Sequence, residues 1–349
     1  MSNSRTFAAL VALGAAVTTA LAAAPAQAAS SYVALGDSYS SGTGTRTYID
    51  DGTSCQRSVY AYPSLIAASK HLTLNFRACS GASVADVVRT QLGALSASTN
   101  KVTISVGGND AGFADVLTEC AEPGWMSDCN GAIDDAQDVI NTVLPARLSS
   151  LYASIRSKAP NAKVVVVGYP RIFMGEDCNA FTWFSPSEES RLNYTADLLN
   201  SRISAQAAAK GFTFANPTSR FSGHAVCDDV EWINGLSNPI SESYHPNRSG
   251  HLDGYAVVVS GPLTGSAFIL SAEAARELAS SGDALAEQQR QYAAADATIT
   301  PKEFRLPDLT TADAWAAARK AGVDLTSRAS IDAADRVWSQ RQAAQTPAH

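Results

Sequence analysis

Five short apolar runs, separated by stretches of helical character, confine this chain to one class of fold. The clearest is Ala162–Val167, with four consecutive valines stopped by Gly168-Tyr169-Pro170. Together with it, strands are expected at about 32–36, 72–78, 102–106, 163–167 and 212–215. Between them, helices are expected over Tyr62–Lys70, Val84 to about Leu95, Ile133–Lys158 (with Pro145 as a kink signal) and Ser187–Lys210. A last core helix is expected over about Ser249–Val259. Strands alternating with helices form βαβ units, so the expected fold is α/β with a five-stranded parallel sheet.

The two ends of the chain differ from this pattern. Arg5, the apolar run Ala8–Ala24 and the small-residue site Ala26-Gln27-Ala28 read as a secretory signal peptide over 1–28. The run is too short and too alanine-rich for a stable membrane anchor. The α/β domain would occupy 30–265. Residues 266–349 turn to Ala, Glu, Gln, Arg and Asp and read as a helical extension, with Trp315, Val323, Leu325, Ile331, Val337 and Trp338 available to dock on the core. The formal charge of -7 becomes -8 if Arg5 is lost with the signal. A mildly acidic chain argues against nucleic acid as an electrostatically held partner. Six cysteines in an exported chain, with no C-x-x-C or zinc-type cluster, favour disulfides over a metal site. About fifteen pairings of six cysteines are open in principle. Chain order suggests Cys55–Cys79, Cys120–Cys129 and Cys178–Cys227.

The residues that could carry chemistry cluster at the ends of the expected strands. Gly36-Asp37 is a turn signal directly after the first strand, and it places Ser38 in the crevice where α/β sheets gather their ligands. A serine needs a base within hydrogen-bond reach and donors for a developing oxyanion. Of the five histidines, His245 is held from a rigid loop by Pro246-Asn247 and is the best base; His224, beside Cys227, is a distant second. His71 sits in a turn, His251 lies inside a helix and His349 ends the chain. Gly81 can offer a bare backbone N–H, and Asn109, after the third strand, an amide donor. Taken singly, each of these is ordinary turn chemistry.

Taken together, Gly36-Asp37-Ser38-Tyr39-Ser40-Ser41-Gly42, Ser80-Gly81-Ala82-Ser83, Gly107-Gly108-Asn109-Asp110 and His245-Pro246-Asn247 resemble, in order, the four blocks of the SGNH (GDSL-type) hydrolases. The wording around Ser38 and the six cysteines are most similar to the secreted actinobacterial lipase/esterase and phospholipase branch, over about Tyr32–Leu263. The resemblance implies a three-layer α/β/α, flavodoxin-like domain and the cysteine pairing given above. It also implies Ser38 as nucleophile, His245 as base, and Ser38, Gly81 and Asn109 as oxyanion donors. The family often has an aspartate three residues before the histidine; here that position is Glu242. The orienting group is then either the Glu242 carboxylate or the Ser243 main-chain carbonyl, and both stay open at this point. The expected activity is metal- and cofactor-free hydrolysis of a lipid or small-molecule ester by a secreted monomer. The alternatives are an acetyl esterase acting on polysaccharide and a non-catalytic binding module. Tyr39, Phe113, Trp125, Phe173, Phe181, Trp183 and Phe184 are candidate walls for an acyl chain.

Overall fold

The computed structural model describes Met1 and residues 30–345. The expected signal segment 1–28, Met1 apart, lies outside the described residues, as does His349. Strands β1 (Ser31–Gly36), β2 (Thr73–Phe76), β3 (Lys101–Ser105), β4 (Lys163–Val167) and β5 (Thr213–Ala215) form one parallel sheet in the order β2-β1-β3-β4-β5. The helices Tyr62–Lys70 and Ala256–Thr264 pack together on one side of the sheet. The helical run 84–94 and the helices Leu144–Lys158 and Pro186–Ala209 make the other layer. With both faces covered, Val164, Val165, Val166 and Val167 are all buried, which is why this run shows no polar alternation.

The winding reverses between β1 and β3. The chain runs from β1 outward to β2, then returns past β1 to lay down β3, β4 and β5 in sequence. At such a switch point the loops leaving the two central strands part and open a crevice beyond their carboxyl ends. Ser38 follows β1, and Asn109 follows β3.

Local chemistry explains where the helices depart from expectation. The span 133–158 is not one helix but Cys129–Asp138, a wider π turn Val139–Val143, and Leu144–Lys158 with Pro145 in its first turn. Proline has no N–H for the preceding turn and crowds its carbonyl, so the chain widens before it. Pro186–Ala209 begins ahead of the expected Ser187-Glu188-Glu189 opening. Its cap is Ser185, whose side chain accepts from Glu188 N while the Glu188 carboxylate accepts from Ser185 N.

The helical extension opens with three helices, Ala272–Ser280, Gly282–Arg290 and Ala293–Asp296. After an irregular stretch follow Ala312–Ala321 and Arg328–Gln345. Leu278, Ala286, Ile299, Phe304 and Ile331 are buried. Of the expected docking residues, Ile331 packs inward and the Trp338 ring lies over Gly124, but Trp315 and Val337 are 41% and 46% exposed. Polar anchors account for much of the attachment instead. The Asp296 carboxylate meets Arg57 at 2.6 Å and Arg77 at 2.7 Å, Gln289 accepts from Arg77 at 2.9 Å, and the Tyr292 ring lies 3.8 Å from the Arg77 guanidinium carbon. Arg57 also pairs with Asp51 at 2.5 Å. Arg57, Arg77 and Asp296 are fully buried.

The disulfides are Cys55–Cys79, Cys120–Cys129 and Cys178–Cys227. The first ties the loop after β1 to the end of β2, directly before Ser80-Gly81. Among the described residues, no helix is long and apolar enough to cross a membrane.

Candidate active site

At the end of β1 the chain must turn against its neighbour. Gly36 has φ +122°, and a Cβ there would lie 2.3 Å from Ser105 O, so only glycine lets β1 approach β3 so closely. Gln91 brackets the turn, accepting from Gly36 N at 2.7 Å and donating to Gly36 O at 2.8 Å. Asp37 then caps the short helix Ser38–Ser41: its carboxylate accepts from Tyr39 N at 3.1 Å, Ser105 Oγ at 2.7 Å and Tyr169 Oη. Burial pushes the Asp37 carboxyl up to about 6, against the pull of these three donors. The sequence reading saw Asp37 only as a turn residue. Its role in fixing the elbow depends on Tyr169 and Ser105, which are remote in the chain.

Two further blocks are locked to this elbow. Ser83 and Asp86 form a capping box, and Asp110 accepts from Val84 N at 2.8 Å. The Asn109 amide donates to Ala82 O at 3.1 Å, which fixes its orientation beside Gly81 (φ +80°). Among the described residues, the backbone N–H groups of Ser38 and Gly81 engage no acceptor. They are free to receive a bound oxygen.

His245 enters from the loop before the last core helix. Tyr244, in a left-handed conformation at φ 61°, redirects the chain, and the bonds Tyr244 N to Asn234 O and Asn234 N to His245 O, both 2.9 Å, hold it. The imidazole Nε2 lies 2.9 Å from Ser38 Oγ, and Nδ1 lies 2.9 Å from Ser243 O. A carbonyl can only accept, so Nδ1 carries the proton and Nε2 presents its lone pair to the serine hydroxyl. Burial holds the imidazole down at about 4, partly countered by the Ser243 carbonyl. It is therefore neutral at ordinary pH.

The structure places the Glu242 carboxylate elsewhere. Tyr48 Oη donates to it at 2.6 Å and Arg46 lies 3.7 Å away, so the group beside Nδ1 is the Ser243 carbonyl. The other histidines stand apart. His224 stacks on Trp232 with its Nδ1 on Val230 O, His251 Nδ1 accepts from Tyr62 N, and His71 caps the helix Tyr62–Lys70. Among the described residues, the one group spaced for a metal ion is Cys178, Cys227 and Glu231, whose two cysteines form a disulfide.

Two hollows meet at Ser38. The first, about 700 Å³ including its open mouth, is apolar and runs past Phe113, Leu117, Ile140, Ala196 and Leu199. The second is smaller and contains His245, Gly81 and Ser243. Of the seven aromatic residues expected as acyl walls, Tyr39 and Phe113 line the first. The others are employed elsewhere. Phe173 and Phe184 pack on Tyr244, Trp183 donates to Asp332, Phe181 is largely exposed, and Trp125 is outside the lining. Aliphatic residues from several helical segments take their place, a face that only the packing of those segments reveals.

Comparison with known proteins places the chain in a family. Residues 34–252 match the model of the GDSL-like Lipase/Acylhydrolase family. Lipase 1 of Streptomyces coelicolor is 45% identical over 258 residues, which are 72% of this chain and 94% of the relative. Among solved structures, the extracellular lipase of Streptomyces rimosus is 42% identical with a TM-score of 0.64, and phospholipase A1 of Streptomyces albidoflavus 40% identical with a TM-score of 0.63. Each covers 67% of this chain and 100% of its own. A matched span that takes in the Ser38 elbow and the Asn109 turn, carried on this sheet, leaves one conclusion: the chain belongs to the GDSL-like lipase/acylhydrolase family.

Proposed function

We propose that the protein hydrolyses carboxylic esters of acyl lipids outside the cell, through an acyl-enzyme on Ser38. The observation that carries this reading is the 2.9 Å contact between His245 Nε2 and Ser38 Oγ beside an apolar hollow. Ser38 Oγ attacks the ester carbonyl while Nε2 takes its proton, and the Ser243 carbonyl steadies the imidazolium through Nδ1–H. The oxyanion is received by the Ser38 and Gly81 N–H groups and the Asn109 amide, each worth about 3 kcal/mol in the transition state. The tetrahedral intermediate then collapses: His245 gives its proton to the departing alcohol, and the acyl group remains on Ser38. Water, deprotonated by the same Nε2, attacks the acyl-enzyme and releases the acid. All of these groups come from one chain, which suits a monomeric enzyme, and the three disulfides suit an extracellular one.

The two hollows divide the substrate. Since His245 must reach the leaving oxygen, the alcohol belongs in the hollow that contains it, and the acyl chain belongs in the apolar one. Apolar side chains make up most of the lining of that hollow, so acyl lipids are favoured over acetylated sugars. The names of the relatives, lipase and phospholipase A1, point the same way. Ala196→Phe is expected to fill the hollow and to lower kcat/KM for p-nitrophenyl decanoate, relative to p-nitrophenyl acetate, by about tenfold or more. An unchanged ratio would place the acyl chain elsewhere.

The low position of His245 also fixes a pH dependence. The imidazole must be neutral to accept the serine proton, and its depressed value keeps it so well below pH 6.5. For p-nitrophenyl butyrate, kcat/KM at pH 5.5 is expected within about twofold of that at pH 7, whereas an ordinary histidine near 6.5 would lose about tenfold. Asp37 takes up a proton in this window without protonating the base. A pH–rate profile with its acid limb near 6.5 would contradict the assignment.

A further inference from the structure

The tail does more than pack beside the domain: it crosses the site. Its first helices anchor at Asp296 on Arg57 and Arg77, near the β2 edge, where Gln288 donates to Leu74 O at 3.1 Å. Its last helix anchors on the far side, where the Asp335 carboxylate accepts from Gly124 N at 2.8 Å and Asp332 from Trp183. The irregular stretch between these anchors passes over the carboxyl ends of the strands. There Pro301, Lys302, Glu303 and Phe304 share the smaller hollow with Ser38, Gly81, Asn109 and His245. Pro301 fills the space before Gly81; a Cβ on that glycine would lie 2.5 Å from Pro301 Cα. Phe304 is buried, edge-on to Tyr244 with ring centroids 5.0 Å apart.

We propose that Pro301–Phe304 is a strap that closes the alcohol side of the active site, with Phe304 as its latch, so that esters of bulky alcohols reach Ser38 only when the strap lifts. The proposal rests on the assignment of that hollow to the leaving alcohol. The strap comes from outside the family domain: the family model ends at residue 252, and about two thirds of this chain accounts for the whole of the solved relatives. It is therefore an addition to a site that is complete without it. Its attachments suit a part that moves. Beyond Pro301 and Phe304 it is tied by an exposed Lys302–Asp115 ion pair and by Arg305 N donating to Thr118 Oγ1 at 3.0 Å. An exposed ion pair contributes little to stability, and the segment 300–308 forms no helix or strand.

The test compares two esters of one acid, methyl hexanoate and dihexanoylphosphatidylcholine, the latter below its micelle-forming concentration, on the full chain. Phe304→Ala is expected to raise the ratio of kcat/KM for the phosphatidylcholine to that for the methyl ester by about tenfold. Lys302→Glu, an exposed change that turns the tie to Asp115 into repulsion, is expected to raise the same ratio by about threefold. It decides the matter should Phe304→Ala fail to fold. Ratios unchanged in the folded variants, with methyl hexanoate still hydrolysed, would overturn the strap and leave the esterase reading intact. A protein that hydrolyses neither ester, strapped or loosened, and whose Ser38 resists a fluorophosphonate, would overturn the esterase reading and the strap with it.

Discussion

Ser38→Ala should lower kcat for p-nitrophenyl butyrate by about 10⁵–10⁶-fold, the scale on which removing a serine nucleophile acts, because no second attacking group replaces it. The hydroxyl is engaged by His245 Nε2, so its loss removes one modest hydrogen bond of about 1 kcal/mol and leaves the core intact. A thermal melt close to that of the parent chain, together with loss of fluorophosphonate labelling, is the expected pattern. Residual activity within about tenfold of the parent would mean that the hydrolytic nucleophile lies elsewhere. The acid limb argued above belongs to the same pair of residues, so the two measurements examine one hydrogen bond from opposite ends.

Asp296→Ala should be the most destabilising single change in the tail. It leaves Arg57 with Asp51 as its charged partner and Arg77 with neutral partners, in a fully buried place. Burial already pulls the Arg77 guanidinium downward, and Asp296 is the chief opposing influence. Breaking a buried pair while keeping the partner charges costs about 3–5 kcal/mol. For a chain of this size that corresponds to a fall in Tm of about 5–8 °C. Asp313→Ala, an exposed carboxylate of the same tail, should stay within about 0.5 kcal/mol of the parent and serves as the control. A loss below about 1 kcal/mol for Asp296→Ala would mean that the two arginines find solvent when the carboxylate is gone.

How much of this was legible in the letters depended on the range of the forces involved. The valine run of β4 and the turn at Gly36 are local statements about burial and backbone, and both appear where expected. The alternative between Glu242 and Ser243 could not be resolved from spacing. It turns on Tyr48 and Arg46, some two hundred positions earlier, which take the carboxylate for themselves. Two serines of like propensity, Ser185 and Ser187, stand two positions apart at the start of that helix, and only the reciprocal bonds with Glu188 make Ser185 its cap. The acyl hollow was sought among aromatics, yet aliphatic residues line most of it; a cavity wall is a product of how helices meet. Asp296 looked like one more acid in an alanine-rich helix. Nothing nearby in the sequence announces that it meets Arg57 and Arg77.

All six cysteines lie between positions 55 and 227, so no sulfur bridge reaches the final eighty or so residues. The backbone joining the two parts passes through an exposed stretch around Gly265–Ala267 and Ile269. A protease cut there would leave the terminal fragment bound by noncovalent contacts alone. Its retention would then become a question of concentration and salt, and the hydrolase could exist in two compositions, with and without its companion piece.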